Sequence, residues 1–251
     1  MTDSPLIVVS GLRKAYDGRA VLDGVDFEVG RGESLAIIGR SGSGKSVLLR
    51  QLVGLEPSDG GRIAFDGQDI TPLAERDLAP IRRRVSMLFQ SGALFDSMCV
   101  FDNVAYPLRE RGEISVDEVS ERVQRTLALV RLEGADDKLP AELSGGMRKR
   151  AALARSLVTE PEAVLFDEPT TGLDPMTAAT IGALMVQVRE ALGVTSVVVS
   201  HDLALVRRVA ERLAFLEAGK FRFIGTLAEA EASSDPLLRS FLAGEEEDDA
   251  A

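Results

Sequence analysis

One glycine-rich segment has the residue types and spacing of a phosphate-binding loop. Its eight residues are Gly39, Arg40, Ser41, Gly42, Ser43, Gly44, Lys45 and Ser46. Glycines let backbone N–H groups turn inward and approach anionic oxygens, which a Cβ would obstruct. Lys45 would then place a cation near the β- and γ-phosphates of a nucleotide, and Ser46 would offer its hydroxyl to Mg²⁺. The segment therefore predicts a site for a nucleoside triphosphate with magnesium.

The residues on either side of this loop predict the strand and the helix that the loop requires. Ser34–Ile38 is a continuous apolar run, which is typical of a buried parallel strand. A helix is predicted from Ser46 to Leu55, and its apolar face contains Val47, Leu48, Leu52 and Leu55. The positive end of this helix would face the bound anion.

Two adjacent carboxylates follow a second apolar run. Asp167 and Glu168 come directly after Ala163–Phe166, at the end of a predicted strand, where side chains emerge toward a ligand crevice. Asp167 is placed to hold Mg²⁺ or its water shell. Glu168 can accept a proton from the water that attacks the γ-phosphate.

Two more polar residues follow predicted strands. His201 is the only histidine and follows the run Ser196–Ser200, whose strand we expect beside the one that ends at Glu168. Its imidazole could then reach the γ-phosphate or the attacking water. Gln90 follows the predicted strand Val85–Phe89, and its amide could contact Mg²⁺ or that same water.

A second anion receptor is predicted far from the first along the chain. Ser144 can cap a helix that runs through Arg148 and Arg155, and Gly145 and Gly146 leave the first amides of that helix bare. One chain with two phosphate receptors suggests that two chains share each nucleotide.

The remaining pattern predicts an α/β core that is interrupted by a helical lobe. Further short strands are predicted at Leu6–Val9, Val25–Val29 and Arg62–Phe65, with a turn at Asp17–Gly18. Apolar residues then recur at helical spacing between about 91 and 157 and again from Thr177 to Leu192. They are Val116, Val119, Val123, Leu127 and Val130; Met147, Ala151, Ala154 and Val158; and Ile181, Leu184, Met185, Val188 and Leu192. We predict one domain over residues 1–244, with a disordered, solubilising acidic tail at residues 245–251.

Composition indicates the partners and the cellular compartment of the protein more than its chemistry. The 251 residues are 45% hydrophobic, enough for a substantial core, and the net charge of −11 argues against a nucleic-acid partner. The single cysteine, Cys99, excludes an internal disulfide, fits a reducing compartment and is expected to be a small buried hydrophobe. No apolar run is long enough to cross a bilayer and no cationic leader is present, so work at a membrane would require another subunit.

Taken in order, these motifs resemble the ATP-binding cassette (ABC) family over nearly the whole chain. The resemblance implies an α/β P-loop NTPase (RecA-like) core with an antiparallel β subdomain and an inserted α-helical subdomain at about 91–157. Gly39–Ser46 then resembles the Walker A motif, Gln90 the Q-loop, Leu143–Met147 the signature, and Ala163–Asp167 the Walker B strand. The cofactors implied are ATP and Mg²⁺, with Ser46, Gln90 and Asp167 on the metal and Lys45, Gln90, Glu168 and His201 in catalysis.

The same resemblance assigns roles that the residues alone do not. Tyr16 would stack on adenine, and Ser144, Gly145 and Gly146 would reach across a head-to-tail homodimer to the partner's γ-phosphate. Asp174, in a motif like the D-loop, would couple the two sites.

The sequence around the signature is similar to a narrower group, the ATPases of bacterial Mla-type lipid transporters and their chloroplast relatives. Met147 stands where the wider family usually has glutamine, which leaves the backbone amides in place but removes a polar side chain. The similarity implies a phospholipid-transport ATPase at the cytoplasmic face of the bacterial inner membrane. Its partners would be membrane permease subunits, a lipid-binding subunit on the far side and a small cytoplasmic regulator.

Gln90 and the segment Ser91–Val104 are expected where the core meets the helical lobe. Contacts made or lost at Gln90 could rotate that lobe through differential binding energy. A permease helix docked on the segment would respond to this motion. Exposed positions among Ser97, Asp102 and Asn103 are therefore predicted to form the docking surface.

Three other functions fit part of the pattern. A soluble ATPase acting on DNA or the ribosome would have two cassettes or a long coiled-coil insertion, and this chain has one cassette and no sustained heptads. A nucleotide sensor without turnover would not need the base Glu168. An importer for amino acids or other small solutes shares every catalytic motif and is the main alternative.

Overall fold

An antiparallel sheet forms the amino-terminal part of the protein. The computed structural model describes residues 4–244, so the predicted acidic tail at residues 245–251 lies outside the described residues. The strands are ordered β2-β1-β4-β5, and Asp17 and Gly18 form the turn of the predicted hairpin at φ of 49° and 78°. The strand bounds are β1 Ile7–Tyr16, β2 Arg19–Val29, β4 Gly60–Phe65 and β5 Gln68–Asp69.

The second sheet carries the strand ends that the sequence marks as functional. Its order is β10-β9-β3-β8-β7-β6, and every neighbouring pair is parallel except β9 and β10. The strand bounds are β3 Ser34–Ile38, β6 Val85–Leu88, β7 Ala163–Asp167, β8 Thr195–Val199, β9 Arg212–Glu217 and β10 Lys220–Thr226. All residues of β3, β7 and β8 are buried, as expected for parallel strands covered on both faces.

Helices cover both faces of this sheet. Their bounds are α1 Lys45–Leu52, α2 Glu75–Arg82, α3 Val100–Arg111, α4 Val116–Leu129, α5 Gly145–Leu157, α6 Pro175–Leu192, α7 Leu203–Val209, α8 Leu227–Glu231 and α9 Pro236–Ala243. Helices α3, α4 and α5 fall inside the predicted lobe. Over residues 4–244, none of the helices combines the length and the apolar character needed to cross a membrane.

Alternate residues of the central strands belong to two different cores. Val164 and Phe166 of β7 pack with helices α3 to α7, whereas Ala163 and Leu165 pack with α1, α2 and the antiparallel sheet. This division follows from the two-residue period of a strand, which sends successive side chains to opposite faces. The core that contains Val164 and Phe166 also contains residues of α3, α4 and α5. Continuous apolar packing therefore attaches the lobe to one face of the sheet.

Three predicted core residues are exposed, which corrects the helix patterns at their ends. Val116, Leu55 and Leu192 expose 84%, 48% and 44% of their surface. Val116 is the first residue of α4 and Leu192 is the last residue of α6, whereas Leu55 lies beyond α1, which ends at Leu52. The helical spacing of apolar residues predicts burial as far as the last apolar residue. These three residues lie at or beyond a helix end, where no neighbouring element covers them.

Cys99 is only half-buried, so the prediction of an ordinary buried hydrophobe is wrong. Its Sγ accepts a hydrogen bond from the Asp102 backbone N–H at 3.5 Å and donates one to Asp102 Oδ2 at 3.4 Å. Cys99 therefore caps the amino terminus of α3 in the manner of a serine.

The loop before α3 is fixed by Asn103, whose side chain is fully buried at 0% exposure. Asn103 Nδ2 donates to the carbonyls of Phe95, Met98 and Cys99 at 3.1, 2.9 and 3.1 Å, and Oδ1 accepts from the Phe95 N–H at 2.8 Å. Asp102 is partly buried and pairs with Arg109 at 2.6 Å. Of the three positions predicted for the docking surface, only Ser97 is exposed.

We expect Asn103→Ala to lower the free energy of unfolding by about 1–3 kcal/mol, because it leaves several buried backbone groups without partners. Urea unfolding of the purified protein measures the change. Ser97→Ala, in the same loop but exposed, is the matched control and should change stability by less than about 0.5 kcal/mol. Equal stability of the two variants would contradict the structural role of Asn103.

Candidate active site

The phosphate loop connects β3 to α1, in the order predicted from the sequence. Gly39 has no room for a side chain, since a Cβ there would overlap the Leu216 carbonyl oxygen. Gly44 has a φ of 102°, and a Cβ would lie 2.9 Å from the Val21 carbonyl oxygen. Both glycines are therefore required by close backbone approach or by a left-handed conformation. Helix α1 begins at Lys45, one residue before the predicted start.

Lys45 is buried at the base of the loop. Its Nζ donates to the carbonyl oxygens of Gly39 and Arg40 at 2.8 and 2.9 Å. Burial lowers the pKa of Lys45, and the nearby carboxylates of Glu168 and Asp167 oppose that shift. The cation is thus already held toward the loop backbone, where the phosphates of a nucleotide would bind.

Ser46 and Asp167 are brought into direct contact although they are far apart in sequence. Ser46 Oγ donates to Asp167 Oδ1 at 2.8 Å. Asp167 is the last residue of β7 and is buried. Two residues that were each predicted to bind Mg²⁺ therefore lie together in the structure.

Glu168 turns back from the strand end with a φ of 48°. Its Oε2 lies 2.9 Å from His201 Nδ1, 3.3 Å from Thr171 Oγ1 and 3.5 Å from Ser200 Oγ. His201 lies two residues beyond the end of β8, the neighbour of β7, close to where the sequence predicts it. A strained backbone held by surrounding hydrogen bonds is common at functional sites.

A cleft of about 780 Å³ joins most of the predicted residues. It is lined by Tyr16, Val21, Gly39, Arg40, Ser41, Gly42, Gly44, Lys45, Ser46, Val47, Gln90, Glu168, Thr171, His201 and Phe241. Val21, Thr171 and Phe241 were not anticipated from the sequence. Phe241 belongs to α9, 40 residues beyond His201 along the chain, and no motif marks it.

Tyr16 lies at the mouth of the cleft with its ring partly exposed. Its hydroxyl donates to Glu56, and Lys14 Nζ lies 5.4 Å from the ring centroid. Arg50 Nε also pairs with Glu56, at 3.1 Å. Glu56 is a further residue that sequence reasoning missed, because a single glutamate after a helix carries no signal of its own.

Ser144, Gly145, Gly146 and Asp174 lie at the starts of two other helices. The Ser144 side chain accepts from the Met147 N–H at 3.3 Å, so it caps α5 as predicted. Asp174 caps α6 through the N–H groups of Met176 and Thr177, at 3.1 and 3.0 Å. Among the residues that the structure describes, none of these four lines the cleft.

The donors at the cleft fit a magnesium ion bound together with a nucleotide. Ser46, Asp167 and Gln90 offer hydroxyl, carboxylate and amide oxygens, which are hard ligands. Residues 4–244 contain no cluster of three or more His, Cys, Asp or Glu side chains that could hold a metal alone. Mg²⁺ commonly completes its shell with phosphate oxygens and water, so a sparse protein donor set is suitable.

Comparison with known proteins accounts for this combination of a phosphate loop, a carboxylate pair and a distant signature. A family model described as "ABC transporter" matches residues 22–171. The chain belongs to the ABC transporter family. It is therefore an ATP-hydrolysing subunit of an ABC transporter.

Three similar proteins illustrate the relationship. This ABC ATPase is 45% identical over 226 residues to the intermembrane phospholipid transport system ATP-binding protein MlaF of Escherichia coli K12, covering 90% of this chain and 84% of MlaF. It is 39% identical to the probable ribonucleotide transport ATP-binding protein mkl of Mycobacterium tuberculosis H37Rv, covering 95% of this chain and 66% of mkl. The dimeric post-hydrolysis structure of the cassette MJ0796 with ADP and Pi superposes with a TM-score of 0.81 at 31% identity, covering 88% and 98% of the two chains.

We expect Glu168→Gln to lower the ATPase rate of this ABC ATPase by about 10²- to 10⁴-fold, because the amide cannot accept the proton of the attacking water. Steady-state phosphate release measures the rate, and fluorescent-nucleotide binding should show that ATP is retained. Glu190→Gln, at an exposed position on α6, is the control and should leave both values unchanged. Full activity of Glu168→Gln would remove Glu168 from the role of base.

Proposed function

We propose that two copies of the chain form a head-to-tail dimer around ATP. Gly39–Ser46 of one copy would hold the phosphates, and Ser144, Gly145 and Gly146 of the other would close over the γ-phosphate with the bare amides of α5. The absence of these three residues from the cleft of their own chain supports this arrangement, since a second copy must then supply them. Met176, beside Asp174, supports it too, because 82% of this apolar residue is exposed.

Within each half-site, the loop residues would divide the work of binding. The backbone amides from Gly39 to Gly44 and the ammonium of Lys45 would bind the phosphates, and Tyr16 would stack on adenine. Ser46, Asp167 and Gln90 would hold Mg²⁺, which neutralises charge on the phosphates when bound. The contact between Ser46 and Asp167 at 2.8 Å places two of these donors together.

Hydrolysis would depend on the pair formed by Glu168 and His201. Glu168 would accept the proton of the attacking water at a carboxylate oxygen. His201, 2.9 Å away from that carboxylate, would orient it and contact the γ-phosphate. Asp174 would link the two sites of the dimer through the start of α6, which it caps.

The transported substrate that we propose is a phospholipid. The observation that carries this proposal is the 45% identity to MlaF over 84% of its length. The chain would then work at the cytoplasmic face of the bacterial inner membrane, held there by permease subunits. A lipid-binding subunit on the far side and a small cytoplasmic regulator would complete the system.

Ribonucleotide transport is the second candidate. The mycobacterial mkl, named as a probable ribonucleotide transport protein, is 39% identical over 238 residues. Importers of other small solutes share the catalytic motifs but have no comparable support here. The catalytic residues are common to all of these systems, so the candidate functions can be distinguished only by identifying the transported substrate.

The substrate is tested with the complex that copurifies with the tagged chain from bacterial membranes. We expect bound phospholipid in the purified complex, and ATP-dependent lipid transfer between vesicles after its reconstitution. The complex with Lys45→Ala should bind no ATP and give no transfer. ATP turnover stimulated by ribonucleotides, with no lipid transfer, would favour the second candidate and contradict the first.

Permease docking on the Ser91–Val104 segment is tested at Ser97, its exposed position among those predicted. We expect Ser97→Glu to reduce lipid transfer by the reconstituted complex while the affinity for ATP stays the same, because the added charge would disturb docking and leave the cleft intact. Ser97→Ala is the control for side-chain loss. Normal transfer by Ser97→Glu would argue against this docking surface.

A further inference from the structure

The segment that follows Gln90 packs directly on α5. Gly92 and Ala93 both have left-handed backbone conformations, with φ of 77° and 46°. A Cβ on Gly92 would lie 3.3 Å from the Cβ of Ala152, so the backbone of this segment runs close against the helix. The conformation is costly for Ala93, and such a conformation persists only where surrounding contacts hold it.

Two cations of α5 supply those contacts. Lys149 exposes only 8% of its surface, and its Nζ donates to the Gln90 carbonyl oxygen. Arg155 donates to the carbonyl oxygens of Gly92 and Ala93 at 2.9 and 2.8 Å. Three carbonyls of one short segment are thus hydrogen-bonded to side chains of a single helix.

The attachment continues beyond these three carbonyls. The Arg155 guanidinium carbon lies 5.6 Å from the ring centroid of Phe95, and Asn103 fixes the next residues from the side of α3. Several residues between Gln90 and Cys99 are therefore held by side chains of α3 and α5. The segment itself follows β6 along the chain.

Helix α5 also carries the second anion receptor. Ser144 caps this helix, and Gly145 and Gly146 form its first turn. Lys149 lies five residues beyond Ser144, which is roughly 7–8 Å along the helix axis. One rigid element therefore connects the backbone of Gln90 to the residues that would close over the partner's nucleotide.

We propose that Lys149 and Arg155 are positioning residues that tie Gln90 of one ATP site to the signature residues of the other. The proposal rests on the dimer described above. A γ-phosphate or metal contact at Gln90 displaces its backbone, the two cations pass that displacement to α5, and the amides of Gly145 and Gly146 move with the helix. Lys149 acts through Gln90 and does not line the cleft.

The test is a double-mutant cycle between Lys149→Met and Gln90→Ala in the full chain. Lys149→Met keeps the side-chain length but donates no hydrogen bond, so it frees the Gln90 carbonyl. We expect kcat to fall about tenfold, as for loss of a coupling contact, with the Kd for MgATP within about twofold of wild type. In the Gln90→Ala background, Lys149→Met should cause no further loss, because no side chain remains to be positioned.

Arg150→Met is the matched control on the same helix. Arg150 donates to the Arg131 carbonyl, away from Gln90, so its loss should leave kcat unchanged. Arg155→Lys is the second variant if Lys149→Met does not fold, since lysine keeps the charge but cannot span both carbonyls. We expect Arg155→Lys to lower kcat as much as Lys149→Met does, with an unchanged Kd for MgATP. In the Gln90→Ala background, Arg155→Lys should cause no further fall in kcat.

Independent losses in the double mutant would overturn the proposal, as would a kcat for Lys149→Met equal to that of Arg150→Met. Thermal unfolding of each variant separates a loss of stability from a loss of coupling. A wild-type chain that turns over ATP strictly as a monomer would contradict the proposed dimer instead. The cycle would still report on the link between Lys149 and Gln90 within one chain.

Discussion

The parallel register of β3, β8 and β7 is the constraint on which the active site depends. Val199 of β8 pairs with Ile37 on one side and with Asp167 on the other, so three strands end at the same edge of the sheet. The residues after those ends come from separate parts of the chain: Ser46 contacts Asp167, 121 residues away, and Glu168 contacts His201, 33 residues away. A slip of one residue in β7 would move its side chains to the opposite face and would separate both pairs. The strand is buried on both faces, so its alternate apolar side chains must fit two different cores. This requirement prevents such a slip.

Two buried lysines lie near the carboxylates of Asp167 and Glu168 at this edge. Lys45 and Lys149 are both buried, and in each case burial lowers the pKa of the lysine while Glu168 and Asp167 oppose the shift. An unpaired charge in such surroundings is expensive, so each ammonium is also hydrogen-bonded to backbone carbonyls. The two lysines differ in what they hold. Lys45 holds the loop that receives the phosphates, and Lys149 holds the segment that contains Gln90.

Sequence reasoning predicted the strand, loop and helix around Lys45, because a phosphate site requires a fixed spacing of glycines and a cation. It predicted the neighbouring strands from the apolar runs Ala163–Phe166 and Ser196–Ser200, which correspond to β7 and β8. It placed Val116, Leu55 and Leu192 in the core, since periodicity does not reveal where a helix loses its neighbour. It also missed Phe241, which lines the cleft only through tertiary packing, and Glu56, which accepts a hydrogen bond from the Tyr16 hydroxyl. The full length of β1 was hidden by register shifts after Val9, which break the alternation that marks a strand.

The packing of α5 determines how a change at Gln90 can spread. Ala151, Ala154 and Leu157 of this helix belong to the same apolar core as Val104 of α3, Val123 of α4 and Phe166 of β7. Such cores are close-packed and resist partial rearrangement, so α5 cannot shift far without α3 and α4. The lobe is therefore expected to respond as a unit, and a surface on the Ser91–Val104 segment would move with it. The hydrogen bonds of Lys149 and Arg155 are to backbone carbonyls, and Arg155 also lies over the ring of Phe95. The response therefore depends mainly on the path of the chain, which leaves exposed residues such as Ser97 free to fit a partner.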